Sequence, residues 1–394
     1  MIPDFCKIVI SIIKAAMDKT EPILPENVDL EEIYEYGQQA QILPLLYYGL
    51  QEVPGFFDTL TGKKFFKSAM HYTNVTWEQM EELEKVCNEL DKAGISYMKL
   101  KGSVIKAYYE YPEMRTMGDA DILIKVDERD RIKEVCEKIG YFEEAESDHE
   151  IIYETKPRKL SIEFHKWLIP SYNKDFYEYF GTGWDYAKKV DSKNSEYEMS
   201  DEDFFIYIFS HFAKHYRDAG VGIKYITDFY LFKKIKPNMD FDYINKAFEK
   251  LQIKKFWDNM DKLLRVWFEG EESNDVIDHM TVKMFGSYTF GFAAHRFRSI
   301  ALKDVKAGKS KFWLKVKHLW SLTFLPYRSM KVIYPVLIKV PILLPFMWVR
   351  RWFSAIFFKR DRIKYNVDNI KAINDKDLEA HHNELTYVGL DYNF

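Results

Sequence analysis

Residues 98–125 read MKLKGSVIKAYYEYPEMRTMGDADILIK, and this stretch decides the fold. An apolar run ending at Leu100 leads into Gly102 and Ser103. Downstream, Asp119 and Asp121 open a second apolar run, Ile122 to Val126. Two carboxylates one residue apart on a strand point to the same face, because side chains alternate. There both can hold Mg²⁺, a hard cation that takes oxygen ligands. A glycine lets the backbone approach phosphate, and a helix start beside it favours negative charge. The order strand, Gly-Ser, helix, Asp-x-Asp strand suits a site that grips a nucleoside triphosphate and holds metal ions.

Working outward, Ile95 to Leu100 reads as a strand, Val104 to Tyr109 as a short helix and Asp119 to Val126 as a second strand. Asp127 is placed to cap the next helix, whose apolar face is Ile132, Val135, Cys136 and Ile139 and which Gly140 stops. Ile151 to Glu154 and Leu160 to Leu168 suggest two more strands, joined at Lys156-Pro157-Arg158. Alternation puts Leu160, Ile162 and Phe164 on one face and Glu163 and His165 on the other. Likewise Ala120, Ile122 and Ile124 face the core, with Asp119 and Asp121 opposite. Adjacent strands then converge Asp119, Asp121 and Glu163, a patch that repels itself unless cations occupy it. The bland alternative is three exposed strand-end acids. Other Asp-x-Asp pairs, at Asp201/Asp203, Asp240/Asp242 and Asp375/Asp377, read as solvated or capping residues.

The pattern gives an α+β (mixed α/β) fold. Residues 1–93 form a helical region, 94–198 the sheet-bearing core, 199–305 a helical domain and 306–394 a basic aromatic tail. Phe5, Ile8, Val9, Ile12, Ile13 and Ala16 fall at helical spacing, so the N-terminus reads as an amphipathic helix and not a secretory signal. Ser200 with Asp203 resembles a cap, after which Phe204, Ile208, His211 and His215 share one stripe. His211 and His215 have metal-ligand spacing without the glutamate of a zinc hydrolase helix. They read as buried structural histidines, as substrate contacts or as metal ligands. Ile223, Ile226, Phe229 and Tyr230 mark a following helix. Cys6, Cys87 and Cys136 have no ligand or redox spacing and read as buried thiols of a reducing cytosol.

Charge is uneven. The chain's formal net charge is −4, yet residues 309–364 hold thirteen Lys or Arg against one acid, Asp361. The remainder is therefore near −16. The tail contains IYPVLIKVPILLPFMWV, broken by Pro335, Pro341 and Pro345 and carrying Lys339. It is short and interrupted for a membrane span, and reads as a surface-lying or docked helical segment. Three roles stand for it: a packed cap, an anchor on an anionic membrane surface, or, less favoured, a nucleic-acid contact.

These residues resemble the DNA polymerase β-like nucleotidyltransferase superfamily, and within it an uncharacterised bacterial family of type 5. The matching features are Gly102-Ser103, Asp119/Asp121 and Glu163. Narrower ones are Lys101-Gly102, Arg115 with Met117-Gly118-Asp119, and Glu163-Phe164-His165 with Trp167. A His-x-x-x-His helix, a Gly-rich joint and a basic-then-Asp helix are similar to His211, His215, Gly220, Gly222, Lys224 and Asp228. The resemblance is expected to span most of the chain, tail included. Lys224 departs from it, since Arg is expected there and grips phosphate bidentately.

The resemblance implies a small polymerase β-like sheet and metal-assisted nucleotidyl transfer. Asp119, Asp121 and Glu163 would hold two Mg²⁺ ions, one shared with the triphosphate. Lys101, Gly102, Ser103 and Arg115 would bind the nucleotide, and His165, His211, His215, Lys224 and Asp228 are candidate substrate contacts. The expected donor is an NTP, with ATP favoured, and the acceptor is a hydroxyl on a small molecule, sugar or peptide. The expected location is cytoplasmic, or peripheral at the inner membrane face. Two other readings stay open: a toxin-like RNA-modifying transferase, and a catalytically silent protein held at the membrane surface.

Overall fold

The computed structural model describes residues 1–288, 299, 301–305, 308, 310–358, 364 and 374–391. The chain divides into two compact units. The first comprises Met1–Tyr216, Gly220–Gly291 and Val388–Asn393; the second comprises Arg217–Ala219, Phe292–Tyr387 and Phe394.

In chain order the first unit begins with helices α1 (Asp4–Asp18), α2 (Leu30–Gln39), α3 (Leu43–Leu50) and α4 (Leu60–Ala93). The site-bearing region follows, with β1 (Tyr97–Lys99), α5 (Gly102–Ile105), β2 (Asp119–Ile124) and α6 (Arg129–Lys138). It continues through β3 (Phe142–Glu146), β4 (Glu150–Glu154), β5 (Ser161–His165), α7 (Lys174–Phe180), β6 (Lys188–Lys189) and β7 (Glu196–Glu198). Helices α8 (Asp201–Asp218, whose last two residues belong to the second unit), α9 (Lys224–Ile235), α10 (Phe241–Lys250), α11 (Lys254–Leu264) and α12 (Asp275–Ser287) complete it.

The seven strands form one mixed sheet in the order β3-β4-β5-β2-β1-β7-β6. β2 lies between antiparallel β1 and parallel β5. One sheet face is apolar: Ala120, Ile122, Ile124, Ile162 and Phe164 pack with Leu83, Val86 and Leu90 of α4 and Ile132 and Cys136 of α6. Each such fully buried large side chain contributes about 1.5–3 kcal/mol. Alternation therefore places the intervening carboxylates on the opposite face, and the register is fixed because a one-residue slip would bury them in this core.

Three local expectations need correction. The helix expected at Val104–Tyr109 is a four-residue turn, Gly102–Ile105, followed by a 3₁₀ segment at Lys106–Tyr108. So short an element carries little helix dipole, and phosphate binding there must rest on side-chain charge and local amides. Asp127 does not cap α6: it lies within a 3₁₀ turn, Val126–Glu128, and Glu128 occupies the cap position without a side-chain hydrogen bond. Three strands, β3, β6 and β7, were not anticipated. β3 (FEEAE) is an acidic edge strand without apolar alternation, and β6 and β7 span two and three residues.

Other expectations hold. α1 buries Val9, Ile12, Ile13 and Ala16. Gly140 follows α6 with φ +88°, a conformation glycine adopts at no steric cost. The Asp203 amide donates to Ser200 Oγ at 3.1 Å at the start of α8. Within the stretch 199–305, helices are present as far as Ser287, and most of the remainder falls outside the described residues.

In the second unit the tail prolines sit at helix starts, where a missing N–H costs nothing. Pro335 precedes a turn at Val336–Lys339, Pro341 opens a 3₁₀ turn at Pro341–Leu343, and Pro345 is the second residue of the helix Leu344–Phe358. No described helix is long and apolar enough to cross a membrane.

Candidate active site

Parallel pairing of β2 with β5 sets Asp121 opposite Glu163 and Leu123 opposite His165. Antiparallel pairing of β4 with β5 sets Glu150 opposite His165. The sheet face away from the apolar core thus carries a band of titratable groups. Asp121 is buried, and its Oδ1 accepts from Lys101 Nζ at 2.6 Å and lies 2.7 Å from His165 Nε2. Burial pushes the Asp121 carboxyl up, but Lys101 and His165 outweigh it and hold it well below the usual range. Burial opposes the Lys101 charge as well, and Asp121 overrides it and raises that group.

His165 is buried, and burial followed by the Lys101 charge lowers its basicity. A carboxylate only accepts, so Nε2 carries the ring hydrogen and Nδ1 is a lone pair. That Nδ1 is buried without a hydrogen-bond partner. Glu163 is pushed up to about 8 by burial and by the charges of Asp119, Asp121 and Glu150. Asp119 keeps a solvent-exposed edge, yet the surrounding protein and the Asp121 charge raise its carboxyl.

Asp121, Glu163 and His165 present ligand atoms within 4.8 Å of one another. Asp119 stands outside that group, one alternation nearer the strand's exposed end, and meets it through charge. The donor set fits a divalent cation. Hard carboxylates predominate, and the mutual repulsion that raises Glu163 is what a cation would relieve.

The Gly-Ser turn lies beside this band. Lys101 sits at φ +47°, a left-handed conformation uncommon for a side-chain-bearing residue, immediately before Gly102. A Cβ on Gly102 would meet nothing closer than 3.9 Å, with Arg115 Nη2 at 4.0 Å. Gly102 is buried, and the space beside it is bounded by the Met117 side chain and by a guanidinium nitrogen of Arg115. Ser103 is half-buried, its hydroxyl 4.0 Å from Met117 Sδ. Lys101, Gly102 and Arg115 line a cleft with His211, Tyr225 and Asp228, which joins the sheet to α8 and α9.

Arg115 and Asp228 are mutually committed. Arg115 Nε lies 2.8 Å and 2.9 Å from the two Asp228 oxygens, and Nη1 donates to the Thr116 carbonyl at 2.9 Å. Tyr109 OH also donates to Asp228, at 2.9 Å. Asp228 thus spends its carboxylate on positioning Arg115. Lys224 opens α9, and burial with the Arg115 charge lowers it to about 7. Burial and Arg115 likewise lower Lys106 to about 8. His211 and His215 approach Nε2 to Nε2 at 3.1 Å, and burial, Lys101 and His215 hold His211 well below its ordinary range.

Sequence reasoning missed His149 and Glu150. Their ligand atoms lie within 4.8 Å of that of His165, and His149 Nε2 is 2.8 Å from Glu150. Only the β4–β5 register reveals them. It also missed Lys106, whose cue was a cation in an otherwise apolar segment.

A family described as uncharacterised nucleotidyltransferase matches residues 26–269, more than half of the chain. The chain belongs to this family. It is a nucleotidyltransferase, a transferase of phosphorus-containing groups. No curated protein and no solved structure matches the chain. The nucleotidyltransferase match contains every candidate site residue named above and ends at Glu269. The expected extension of the resemblance through the tail is therefore not met: the whole of 306–394 lies beyond the match.

Proposed function

We propose that the chain transfers a nucleoside monophosphate from an NTP, with ATP the first donor to test, to a hydroxyl on a small molecule, sugar or peptide. The acceptor oxygen forms a bond to the α-phosphorus, the bond from that phosphorus to the bridging oxygen of pyrophosphate breaks, and the acceptor proton passes to a base in the site. The observation that carries this reading is the convergence of Asp121, Glu163 and His165 within 4.8 Å, beside a cleft lined by Lys101, Gly102 and Arg115. Mg²⁺ held by Asp119, Asp121 and Glu163 would supply charge neutralisation and acidify the acceptor hydroxyl.

The chain's own groups have separable tasks. Lys101 keeps Asp121 ionised and brings a positive charge to the phosphate cradle. Arg115, held by Asp228, presents its remaining guanidinium nitrogen toward Gly102. Lys224 brings an amine to the Asp119 end, lowered to about 7 by burial and the Arg115 charge and so only partly charged near neutral pH. Glu163, raised by burial and by the neighbouring carboxylates, is the group that a bound cation would ionise and hold. The Asp121 hydrogen bond fixes the tautomer and orientation of His165.

The test is pyrophosphate release with each NTP, with Mg²⁺, against pools of small-molecule hydroxyl acceptors and against RNA. Release with a small-molecule pool, absent in Asp121→Ala, supports the proposal. Release only with RNA supports the toxin-like alternative, and no release from any pool supports the silent protein.

A further inference from the structure

The second unit turns apolar side chains outward in an ordered pattern. In the helix Lys311–Thr323, Phe312, Trp313, Val316, Leu319 and Trp320 are all exposed, at spacings i, i+1, i+4, i+7 and i+8. At about 100° per residue these five form one stripe. Leu314, on the opposite side, is buried. Lys315 and Lys317 fall on the two edges of the stripe, where long stems can lie along apolar surface while the ammonium groups reach outward.

The helix Leu344–Phe358 repeats the arrangement. Phe346, Val349 and Phe353 are exposed on one side with Arg350 among them. Its other side is fixed within the unit. Trp352 Nε1 donates to the Thr323 carbonyl at 2.8 Å and Trp348 Nε1 to the Leu325 carbonyl at 2.8 Å. Arg351 Nη1 reaches the Leu322 carbonyl at 3.0 Å. Leu322 and Thr323 end the first helix and Leu325 follows its cap residue Phe324, so the second helix supplies donors to carbonyls at and just past that helix end. The exposed stripes are thus the outer faces of a packed unit.

Charge selects the occupant. Residues 310–358 contain eight Lys or Arg and no acid. They also hold thirteen of the 29 large exposed hydrophobics among the described residues. Nucleic acid would be met by cations and aromatic rings, but here Ile333, Val336, Ile338, Val340 and Ile342 add aliphatic surface that no base can stack on. Apolar stripes edged by cations, on helices too short to span, fit the boundary between headgroups and acyl chains. We propose that this unit docks on an anionic lipid bilayer, with the stripe of Lys311–Thr323 buried at the headgroup level.

The test sediments the full chain with vesicles of phosphatidylcholine alone or mixed with phosphatidylglycerol. The wild type should pellet with the mixed vesicles, release as salt rises, and remain largely in solution with the neutral ones. Trp313→Glu/Trp320→Glu should bind about tenfold more weakly or worse. Lys315→Glu/Lys317→Glu, which leaves the apolar stripe intact, should lose the preference for anionic lipid. Asp119→Ala/Asp121→Ala should bind as the wild type does, because docking does not use the catalytic band. The proposal is overturned if the wild type stays in solution with anionic vesicles, or if the stripe variant pellets equally. It is also overturned if the stripe variant dissolves a dimer, or abolishes RNA binding, in a wild type that ignores vesicles.

Discussion

The sheet-bearing unit hides charge, whereas the C-terminal unit displays apolar surface. Asp121, His165, Arg115 and Asp228 are buried, while Phe312, Trp313, Trp320 and Phe346 are about two-thirds exposed. Each arrangement opposes the ordinary partition of residues and costs free energy in isolation. They differ in compensation. The buried charges are matched internally, Lys101 to Asp121 and Arg115 to Asp228, whereas nothing among the described residues covers the apolar stripes. Internal compensation fits a site built for a small charged ligand, and absent compensation fits a surface built for something outside the chain.

Breaking the internal match should have the largest effect. Arg115→Ala leaves Asp228 buried with Tyr109 as its remaining donor, and should lower unfolding free energy in denaturant by about 3–5 kcal/mol. Arg115→Lys should recover only part of this, because an ammonium cannot serve Asp228 and the Thr116 carbonyl with the same fork. Next in size, Asp121→Ala should reduce nucleotidyl transfer by about 100-fold or more while the chain stays folded, read from initial rates.

The charge balance of the band should also show in pH dependence. Glu163 is raised from 4.5 to about 8, so between those values the folded state holds a proton that the unfolded state releases. Metal-free stability should therefore fall as pH rises through that window, and Glu163→Gln should flatten the fall, by on the order of 1 kcal/mol. Lys224 has the opposite sign. Lowered from 10.5 to about 7, it makes stability rise with pH between those values, and Lys224→Gln should remove that rise. Denaturant midpoints across pH 5–10 test both. Smallest of all, Trp313→Glu in the other unit should change stability by less than about 0.5 kcal/mol, since its side chain packs on little.

The sequence made the centre of the sheet legible and left its edges obscure. β2 and β5 could be read because Ala120, Ile122, Ile124, Ile162 and Phe164 alternate with acids, and a half-buried strand must alternate. The same alternation put Asp121 and Glu163 on one face. β3 has no such signal, as its FEEAE sequence is that of a charged edge strand, and β7 is too short for periodicity to register. Long-range partners were equally silent. Asp228 could be matched by resemblance but not recognised as the seat of Arg115, 113 residues earlier, and Glu150 joined His165 only through register. In the tail, the prolines announced interruptions, but which apolar residues face outward depends on the helix bounds.

The most direct test of the central claim is calorimetric titration of each NTP, with and without Mg²⁺, into wild type and Asp119→Ala/Asp121→Ala. The account predicts Mg²⁺-dependent binding of at least one nucleotide to the wild type and none to the double variant. Equal binding by a folded double variant, or no binding of any nucleotide by the folded wild type, would contradict it.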